Sequence, residues 1–457
     1  MPDYALTDLV QWGEKIEEMA ADEGLRFFPQ EFEICNYEDM LCYEAYSGMP
    51  SHYPHWSYGK SYERLKTFYQ YNIIGLPYEM VINSNPCLAY LMKDNTLLLQ
   101  ILTMAHVYAH NDFFRNNHLF AERTRAELTI GMFKNHADRI RAYISDPSIG
   151  CQKVEKILNA AHALCYQTIR FAGAPHGSYD GRRPVKAREK RVYSSEHPLL
   201  DNRDTDSTEA PSKILSEPEE DLLWFLGEYG NLEDWEKDLL NIVREETLYF
   251  IPQIETKIMN EGWASFWHYR LLTRMELPEK LQWEFIKRHN QVVRPLLGGL
   301  NPYHLGFVIF TCLFRQYGAD KIFEARETEK DQTFLWRYLT REICEELHLL
   351  QYAKEKEEYV VREISDDEGW IAIRDMLARR TGMGGIPVIR LMEYLPLERQ
   401  VTLVHEYDGR DLEMNYATET LRYFAELWKG RVTFKTKLRQ EERIIHCDEK
   451  MTLTVIK

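Results

Sequence analysis

The stretch TMAHVYAHNDFFRNN (residues 103–117) places two histidines, His106 and His110, one helical turn apart inside an apolar run. At 3.6 residues per turn, the two histidines share one stripe with the neighbouring leucines and a phenylalanine, on a helix predicted over residues 94–117. Such a stripe faces a protein interior, so we expect both imidazoles to be buried together. Buried polar groups need partners, which the surrounding fold must supply.

The apolar pattern along the rest of the chain predicts a mainly α fold, with a large helical body and a smaller C-terminal α+β domain. Residues 1–175 form a helical region that carries the histidine helix, and residues 223–355 form a helical region that completes the same body. Residues 176–222 are polar and charged, which is typical of a linker or long loop. Residues 356–457 contain short β-branched segments with two helical runs between them, which predicts the α+β domain.

Charge and composition exclude several classes of protein. A net charge of −16 over 457 residues disfavours nucleic acid as a main partner. No apolar run approaches the roughly 20 residues that a transmembrane helix needs, and the acidic N-terminus lacks the features of a secretory signal. The eight cysteines include no C-x-x-C pair. We therefore expect a cytoplasmic protein with reduced thiols and no transmembrane segment.

The spacing of His106 and His110 is one that can hold a single metal ion, as in enzymes with an H-E-x-x-H motif. The glutamate of that motif is missing here, because Val107 follows His106. Another carboxylate is found in ETKIMNEGWASFWHYRLL (residues 255–272), where Glu261 lies on an otherwise apolar helical stripe. An unpaired buried carboxylate is costly, so Glu261 needs a cation, a strong donor or a metal.

The sequence therefore supports a site in which His106, His110 and Glu261 bind one divalent metal, either zinc or iron or manganese. Three protein ligands and an open position suit catalysis. The alternative is a structural hydrogen-bond network in a polar core, because paired polar residues on apolar stripes often satisfy one another. Both interpretations remain open from the sequence.

Other residues are secondary candidates. Asp112 and Glu255, like Glu261, could move a proton in catalysis, although Asp112 could equally cap a helix or face solvent. His55, Asn85 and His268 could line the site, but His55 and Asn85 lie in loop and turn segments where local hydrogen bonding is the commoner role. The chain has no G-x-G-x-x-G motif after a strand, no Walker-type loop and no G-x-S-x-G elbow, so no nucleotide cofactor is expected.

Four long strings carry a resemblance to a known family: GMPSHYPHWSYGKSYERLK, YEMVINSNPCLAYLM, AHVYAHNDFFRNN and ETKIMNEGWASFWHYR. In this order and at these separations, the chain resembles the stage V sporulation protein R (SpoVR) family. The resemblance implies a bacterial cytoplasmic protein linked to formation of the spore cortex in spore formers. In other bacteria it implies a stress-response module that includes a PrkA-type serine kinase and a von Willebrand type A-like protein.

The resemblance supplies no agreed reaction, so two functions remain open. The first is a metal-dependent enzyme, such as a hydrolase with a His/His/Glu site. The second is a non-enzymatic regulatory or scaffold protein that acts with the kinase and the von Willebrand type A-like partner.

Overall fold

The structure is a computed structural model that describes residues 4–71, 79–170, 213–296, 299–355 and 358–456. The helices within these ranges are α1 (Leu6–Asp22), α2 (Tyr37–Ala45), α3 (Trp56–Gln70), α4 (Leu97–Asn116), α5 (His118–Arg123), α6 (Thr129–Ser145), α7 (Cys151–Leu164), α8 (Leu222–Tyr229), α9 (Asp234–Glu255), α10 (Lys257–Arg274), α11 (Glu279–Val292), α12 (Pro302–Tyr317), α13 (Ala319–Thr328), α14 (Asp331–Tyr338), α15 (Arg341–Glu346), α16 (Gly369–Arg380) and α17 (Met414–Trp428). The strands are β1 (Gln30–Cys35), β2 (Glu79–Ile82), β3 (Cys87–Met92), β4 (Lys213–Glu219), β5 (Leu350–Glu355), β6 (Glu358–Ile364), β7 (Ile389–Leu395), β8 (Gln400–His405), β9 (Arg431–Leu438), β10 (Glu441–Cys447) and β11 (Leu453–Ile456).

The prediction of a mainly α fold with a smaller C-terminal α+β region is confirmed by this order of elements. Two compact units are present, unit 1 from Met1–Glu155 with Glu245–Ile386 and unit 2 from Lys156–Arg244 with Pro387–Lys457. The four-part domain division remains a prediction, and residues 176–212 of its linker lie outside the described residues. Among the described residues, no helix is both long enough and apolar enough to span a membrane.

The centre of unit 1 is α4, whose side chains are buried on every face from Leu98 to Phe114. The helix begins at Thr96, whose hydroxyl accepts a hydrogen bond from the Leu99 amide at 3.3 Å, as expected of an N-cap. A helix that is apolar on most sides must be covered on most sides. Helices α1, α10 and α11 pack against α4, so its polar residues can be satisfied only by neighbouring elements.

Helices α10 and α12 pack closely because two glycines meet between them. A Cβ atom on Gly262 would lie 2.3 Å from the Cα atom of Gly306, and a Cβ atom on Gly306 would lie 2.6 Å from the Cα atom of Gly262. No side chain fits at either position, so the two backbones are in direct contact. A glycine inside a helix lowers its stability, and at Gly262 the close approach of α12 explains why one is present.

A three-stranded sheet in the order β1-β3-β2 covers another side of α4. Strand β2 is antiparallel to β3, and Glu79 is in register with Leu91. Since α4 begins shortly after β3 ends, this pairing places the start of β2 beside α4. Glu79 is the only acidic residue of β2, which otherwise reads Met-Val-Ile.

Unit 2 is built around a six-stranded sheet in the order β11-β10-β9-β8-β7-β4. Strands β8 and β9 are parallel and joined through α17, while the other neighbouring strands are antiparallel. Helix α17 buries Leu421, Phe424 and Trp428, as its strongly amphipathic sequence predicts.

Candidate metal centre

His106 and His110 lie within α4 with only 3% and 6% of their surface exposed. The Nε2 atoms of both rings face the same carboxylate oxygen of Glu261, at 3.8 Å from His106 and 3.6 Å from His110. The helical spacing on α4 and the apolar stripe on α10 therefore bring these three residues together, as the sequence suggested.

A second carboxylate, Glu79, which the sequence did not single out, lies beside these three residues, and we call the four together the candidate metal-binding group. Glu79 Oε1 lies 3.8 Å from His106 Nε2, and one ligand atom from each of Glu79, His106 and His110 lies within 4.8 Å of the others. The sequence feature that could have pointed to Glu79 is its place as the first residue, and the acidic one, of a strand that is otherwise apolar. Its position beside the histidines depends on strand pairing, which no local pattern specifies.

The two imidazoles are held through their other nitrogens. His110 Nδ1 lies 2.8 Å from Asn260 Oδ1, and His106 Nδ1 lies 2.9 Å from His268 Nδ1. Because the Asn260 oxygen can only accept, His110 carries its proton on Nδ1 and leaves the Nε2 lone pair facing Glu261. That is the orientation and tautomer in which a histidine binds a metal.

The electrostatic environment suits a cation at this position. Burial lowers the pKa of His110 to about 4, with the nearby His106 as a further cause, so His110 is neutral at physiological pH. Burial alone would raise the pKa of Glu261, but the hydrogen bond with His106, the electrostatic attraction to both histidines and a hydrogen bond from Tyr303 together hold it below its ordinary value. A neutral imidazole, as in His110, and an ionised carboxylate, as in Glu261, are the forms that coordinate metals.

Glu79 differs from Glu261 in its acidity. Burial and the negative charge of Glu261 raise the pKa of Glu79, against the opposing effect of His106. The side chains of Glu79 and Glu261 are nevertheless 18% and 19% exposed, so water can reach both carboxylates. One carboxylate held ionised beside another with a higher pKa is an arrangement found where acid and base roles are divided.

Tyr303 on α12 forms the wall of the site beside Glu261. Its hydroxyl hydrogen-bonds the Glu261 carboxylate, and its ring stacks on His106 with centroids 6.2 Å apart. Tyr303 lies one turn before Gly306, and Glu261 is adjacent to Gly262. The close glycine contact therefore sets the distance between Tyr303 and Glu261.

Asp112 and Glu255 make their described contacts elsewhere. Asp112 lies about 200° around α4 from His110, since each residue turns the helix by about 100°. Its oxygens accept hydrogen bonds from the Arg26 amide at 2.7 Å and from the Trp263 indole at 3.0 Å. Burial raises the pKa of Asp112 to about 6. Glu255 pairs with Lys330 at 3.1 Å.

The three residues predicted to line the site have different positions. His268 is fully buried and contacts His106 directly, so it lies behind the candidate metal-binding group. His55 is the N-cap of α3, where its Nδ1 accepts a hydrogen bond from the Ser57 amide at 3.4 Å. The backbone amide of Asn85 donates to Ala126 at 3.0 Å, next to a cis Asn85–Pro86 peptide. The described contacts of His55 and Asn85 do not include either site histidine.

A second buried polar cluster joins the loop before α3 to α6 and α9. Glu246 lies 3.1 Å from His52 and 3.0 Å from His136, and Glu245 contacts the other nitrogen of His136 at 3.1 Å. Burial raises the pKa of Glu246 to about 7, against the opposing hydrogen bond from His136. These contacts connect α6 to α9. Because both nitrogens of His136 face carboxylates, neither nitrogen is available to bind a metal.

Comparisons with known proteins agree with the resemblance seen in the sequence. The family model described as "SpoVR like protein" matches residues 3–386. The chain is 32% identical over 471 residues to the uncharacterized protein YcgB of Escherichia coli (strain K12), covering 93% of this chain and 91% of that protein. No solved structure matches the chain. His106, His110, Glu261 and Glu79 all lie within the matched range, and the chain belongs to the SpoVR family.

Proposed function

We propose that this protein is a metal-dependent enzyme of the hydrolase type, with one divalent cation bound by His106, His110 and Glu261. The observation that supports the proposal is the convergence of two Nε2 atoms and one carboxylate oxygen from α4 and α10. Neighbouring ligands of a tetrahedral ion lie about 3.3 Å apart when the bonds are about 2.0–2.1 Å. The separations of 3.6 and 3.8 Å need only a small inward movement to reach that value.

In this proposal Glu79 is the general base. Its Oε1 atom lies 3.8 Å from His106 Nε2, its side chain is 18% exposed, and its raised pKa suits a residue that must accept and return a proton. A cation at the site would activate a water molecule and polarise a carbonyl oxygen. Glu79 would take a proton from the water molecule as the water oxygen attacks the carbonyl carbon. It would then return that proton to the leaving group.

The nature of the metal follows from the donors. Two imidazoles and carboxylate oxygens suit zinc, and they equally suit iron or manganese. We propose zinc first, because two neutral nitrogens and one oxygen with a fourth open position match the donor sets of zinc hydrolases.

Metal analysis of protein purified without a histidine tag tests the proposal. We expect about one equivalent of zinc, iron or manganese in the wild type, and loss of that metal in His106→Ala and His110→Ala with the fold retained. Glu261→Gln should also lose the metal. Glu79→Gln should keep the metal and lose hydrolysis of small ester and amide substrates.

If instead Glu79→Gln loses the metal and Glu261→Gln keeps it but is inactive, Glu79 is the ligand and Glu261 is the base. Similar losses in His106→Ala and His110→Ala are expected, since both serve one ion. A clean separation, with one variant silent and the other inactive, would count against shared coordination.

A regulatory or scaffold role beside a PrkA-type kinase and a von Willebrand type A-like protein is the second candidate, in sporulation or stress response. The structural observation in its favour is an apolar hollow of about 310 Å³ in unit 2, lined by residues such as Leu164, Leu403, Tyr416 and Phe424. A hollow of this kind can receive apolar side chains of a partner. A metal-free native protein whose His106→Ala and Glu261→Ala variants are merely destabilised would favour this role.

A further inference from the structure

Three imidazoles run in a row from the candidate metal-binding group into the core. His106 Nδ1 lies 2.9 Å from His268 Nδ1, and His268 Nε2 lies 2.8 Å from His289 Nδ1. All three rings are at most 4% exposed. The row begins on α4, continues through α10 and ends on α11, which links three helices of unit 1 through side-chain nitrogens.

A neutral imidazole has one donor nitrogen and one acceptor nitrogen. Each of the two N···N contacts therefore needs a proton on one side and a lone pair on the other. Once the tautomer of one ring is fixed, the tautomers of the other two follow. The row can exist in two arrangements, with all its hydrogen bonds pointing toward His106 or all pointing away from it.

The environment of His106 decides between the two arrangements. Without a cation, the Nε2 atom of His106 faces the carboxylates of Glu79 and Glu261, which favour a proton on that nitrogen. His106 Nδ1 must then accept, so His268 donates from Nδ1 and His289 donates from Nδ1. The hydrogen bonds point toward His106.

A cation on His106 Nε2 requires the opposite arrangement, because that nitrogen must offer its lone pair. His106 then carries its proton on Nδ1 and donates to His268 Nδ1. His268 is protonated on Nε2 and donates to His289 Nδ1, and His289 is protonated on Nε2. Each ring holds one proton in both arrangements, so one proton leaves at His106 Nε2 and one enters at His289 Nε2.

We propose that His106, His268 and His289 form a tautomer row whose hydrogen bonds reverse direction when a divalent cation binds His106, and that His268 and His289 are positioning residues for this ligand. The inference rests on the proposed metal site. Metal-binding histidines usually donate their second nitrogen to a carboxylate, a backbone carbonyl or water. Here a neutral imidazole takes that place, and unlike a carboxylate or a carbonyl it can either accept or donate a hydrogen bond.

The second histidine ligand provides an internal comparison. His110 contacts Asn260 Oδ1, an acceptor, so its tautomer is already the one a metal needs. The last ring of the row is held by aromatic neighbours, with Tyr269 at 4.6 Å and Phe307 at 5.0 Å between centroids. These ring contacts hold the orientation of His289, so the change expected at this ring is the position of its proton.

Nitrogen NMR of protein labelled with ¹⁵N only in histidine tests this proposal, with and without added zinc. The resonances are assigned by their loss in single variants of His106, His110, His268 and His289. In the metal-free protein we expect the proton on Nε2 of His106 and on Nδ1 of His268 and His289. With one equivalent of zinc, the protons of His268 and His289 should move to Nε2, while His110 keeps its proton on Nδ1 throughout.

Two variants of His268 separate positioning from packing. Asparagine keeps a polar group near the position of Nδ1 that can donate or accept, whereas leucine keeps only volume. We expect His268→Leu to weaken zinc binding by about 10–100-fold, the usual effect of losing such a contact, and His268→Asn to restore most of it. The melting temperature of the metal-free variants controls for folding.

The outcomes are distinct. Unchanged tautomers of His268 and His289 in the zinc-loaded protein would overturn the inference while leaving the metal site intact. Equal zinc affinity in His268→Leu and wild type would also overturn it. If the wild type binds no zinc, iron or manganese, the proposed function fails and the reversal fails with it, whereas the tautomers of the metal-free row still report whether its direction was assigned correctly.

Discussion

Replacing Gly262 with alanine should lower stability and disturb the candidate metal-binding group. The new Cβ atom would lie 2.3 Å from Gly306 Cα and 2.4 Å from the Gly306 carbonyl carbon. Carbon atoms prefer to be about 3.5–4.0 Å apart, so α10 and α12 must separate by more than about 1 Å. Because backbone atoms meet here, no side chain can rotate away to relieve the contact.

Two opposing terms set the size of the effect. Alanine is favoured over glycine inside a helix by about 1 kcal/mol. Overpacking costs about 1–3 kcal/mol, and the rigid contact places Gly262→Ala at or above the upper end of that range. We expect a net loss of about 2 kcal/mol. Separation of the helices also pulls Tyr303 from Glu261, so metal affinity should fall as well.

Gly59 provides the matched control. It is an exposed glycine inside α3 with no atom within 4 Å of its would-be Cβ. Gly59→Ala should therefore stabilise the protein by up to about 1 kcal/mol. Urea unfolding of both variants, with hydrogen exchange of α10 peptides as a local probe, measures the difference. A Gly262→Ala variant as stable as Gly59→Ala, with unchanged exchange in α10, would refute the close contact.

Three further predictions concern buried carboxyl groups outside the candidate metal-binding group. Asp112→Ala should lower the free energy of unfolding in urea by about 3 kcal/mol, because it leaves the buried Arg326 without the Asp112 carboxylate. The metal content should stay at the wild-type level, and a loss of metal would place Asp112 in the site. Folding raises the pKa of Glu246 from 4.5 to about 7, so the stability that its protonated form contributes falls as pH rises through that window. Glu246→Gln should therefore reduce the dependence of melting temperature on pH between about 4.5 and 7.5. An unchanged pH dependence would show that Glu246 does not titrate in this range. Asp331→Ala should lower stability by about 1–2 kcal/mol, because the Asp331 carboxylate accepts hydrogen bonds from the backbone amides of Ile258 and Met259 in the first turn of α10. An unaffected melting temperature would contradict this capping role.

Local periodicity explains why part of the site could be predicted. His106 and His110 share a face because four residues make about one turn, and this holds wherever α4 lies in the fold. Glu261 was recognised by its cost as a buried charge within an apolar stripe. The helical pattern also predicted the fold class, since most elements are long enough to show a 3.6-residue period.

The rest of the site depends on contacts between elements far apart in the sequence. Glu79 reaches the histidines through the pairing of β2 with β3, and Tyr303 reaches Glu261 through the contact of α10 with α12. Neither contact leaves a periodic signal. The sequence also could not tell which acid is paired with a cation of the protein itself, which is why Asp112 remained a secondary candidate for catalysis although it contacts Arg326.

The same limit applies to the sheet of unit 2. Strand β4 comes from the middle of the chain and pairs with β7 at the edge of a sheet built from C-terminal strands. Pairing between segments so distant in sequence carries no local composition signal, whereas the short β-branched strands themselves were predictable.

The most direct test of the proposed metal site is anomalous X-ray diffraction from crystals of native protein, measured at the absorption edges of zinc, iron and manganese. We expect one anomalous peak within about 2.2 Å of His106 Nε2, His110 Nε2 and a carboxylate oxygen of Glu261. A peak at this position would establish the shared ligand set on which the proposed chemistry depends. Well-diffracting native crystals with no anomalous peak between these residues, or with Glu261 far from both histidines, would contradict it.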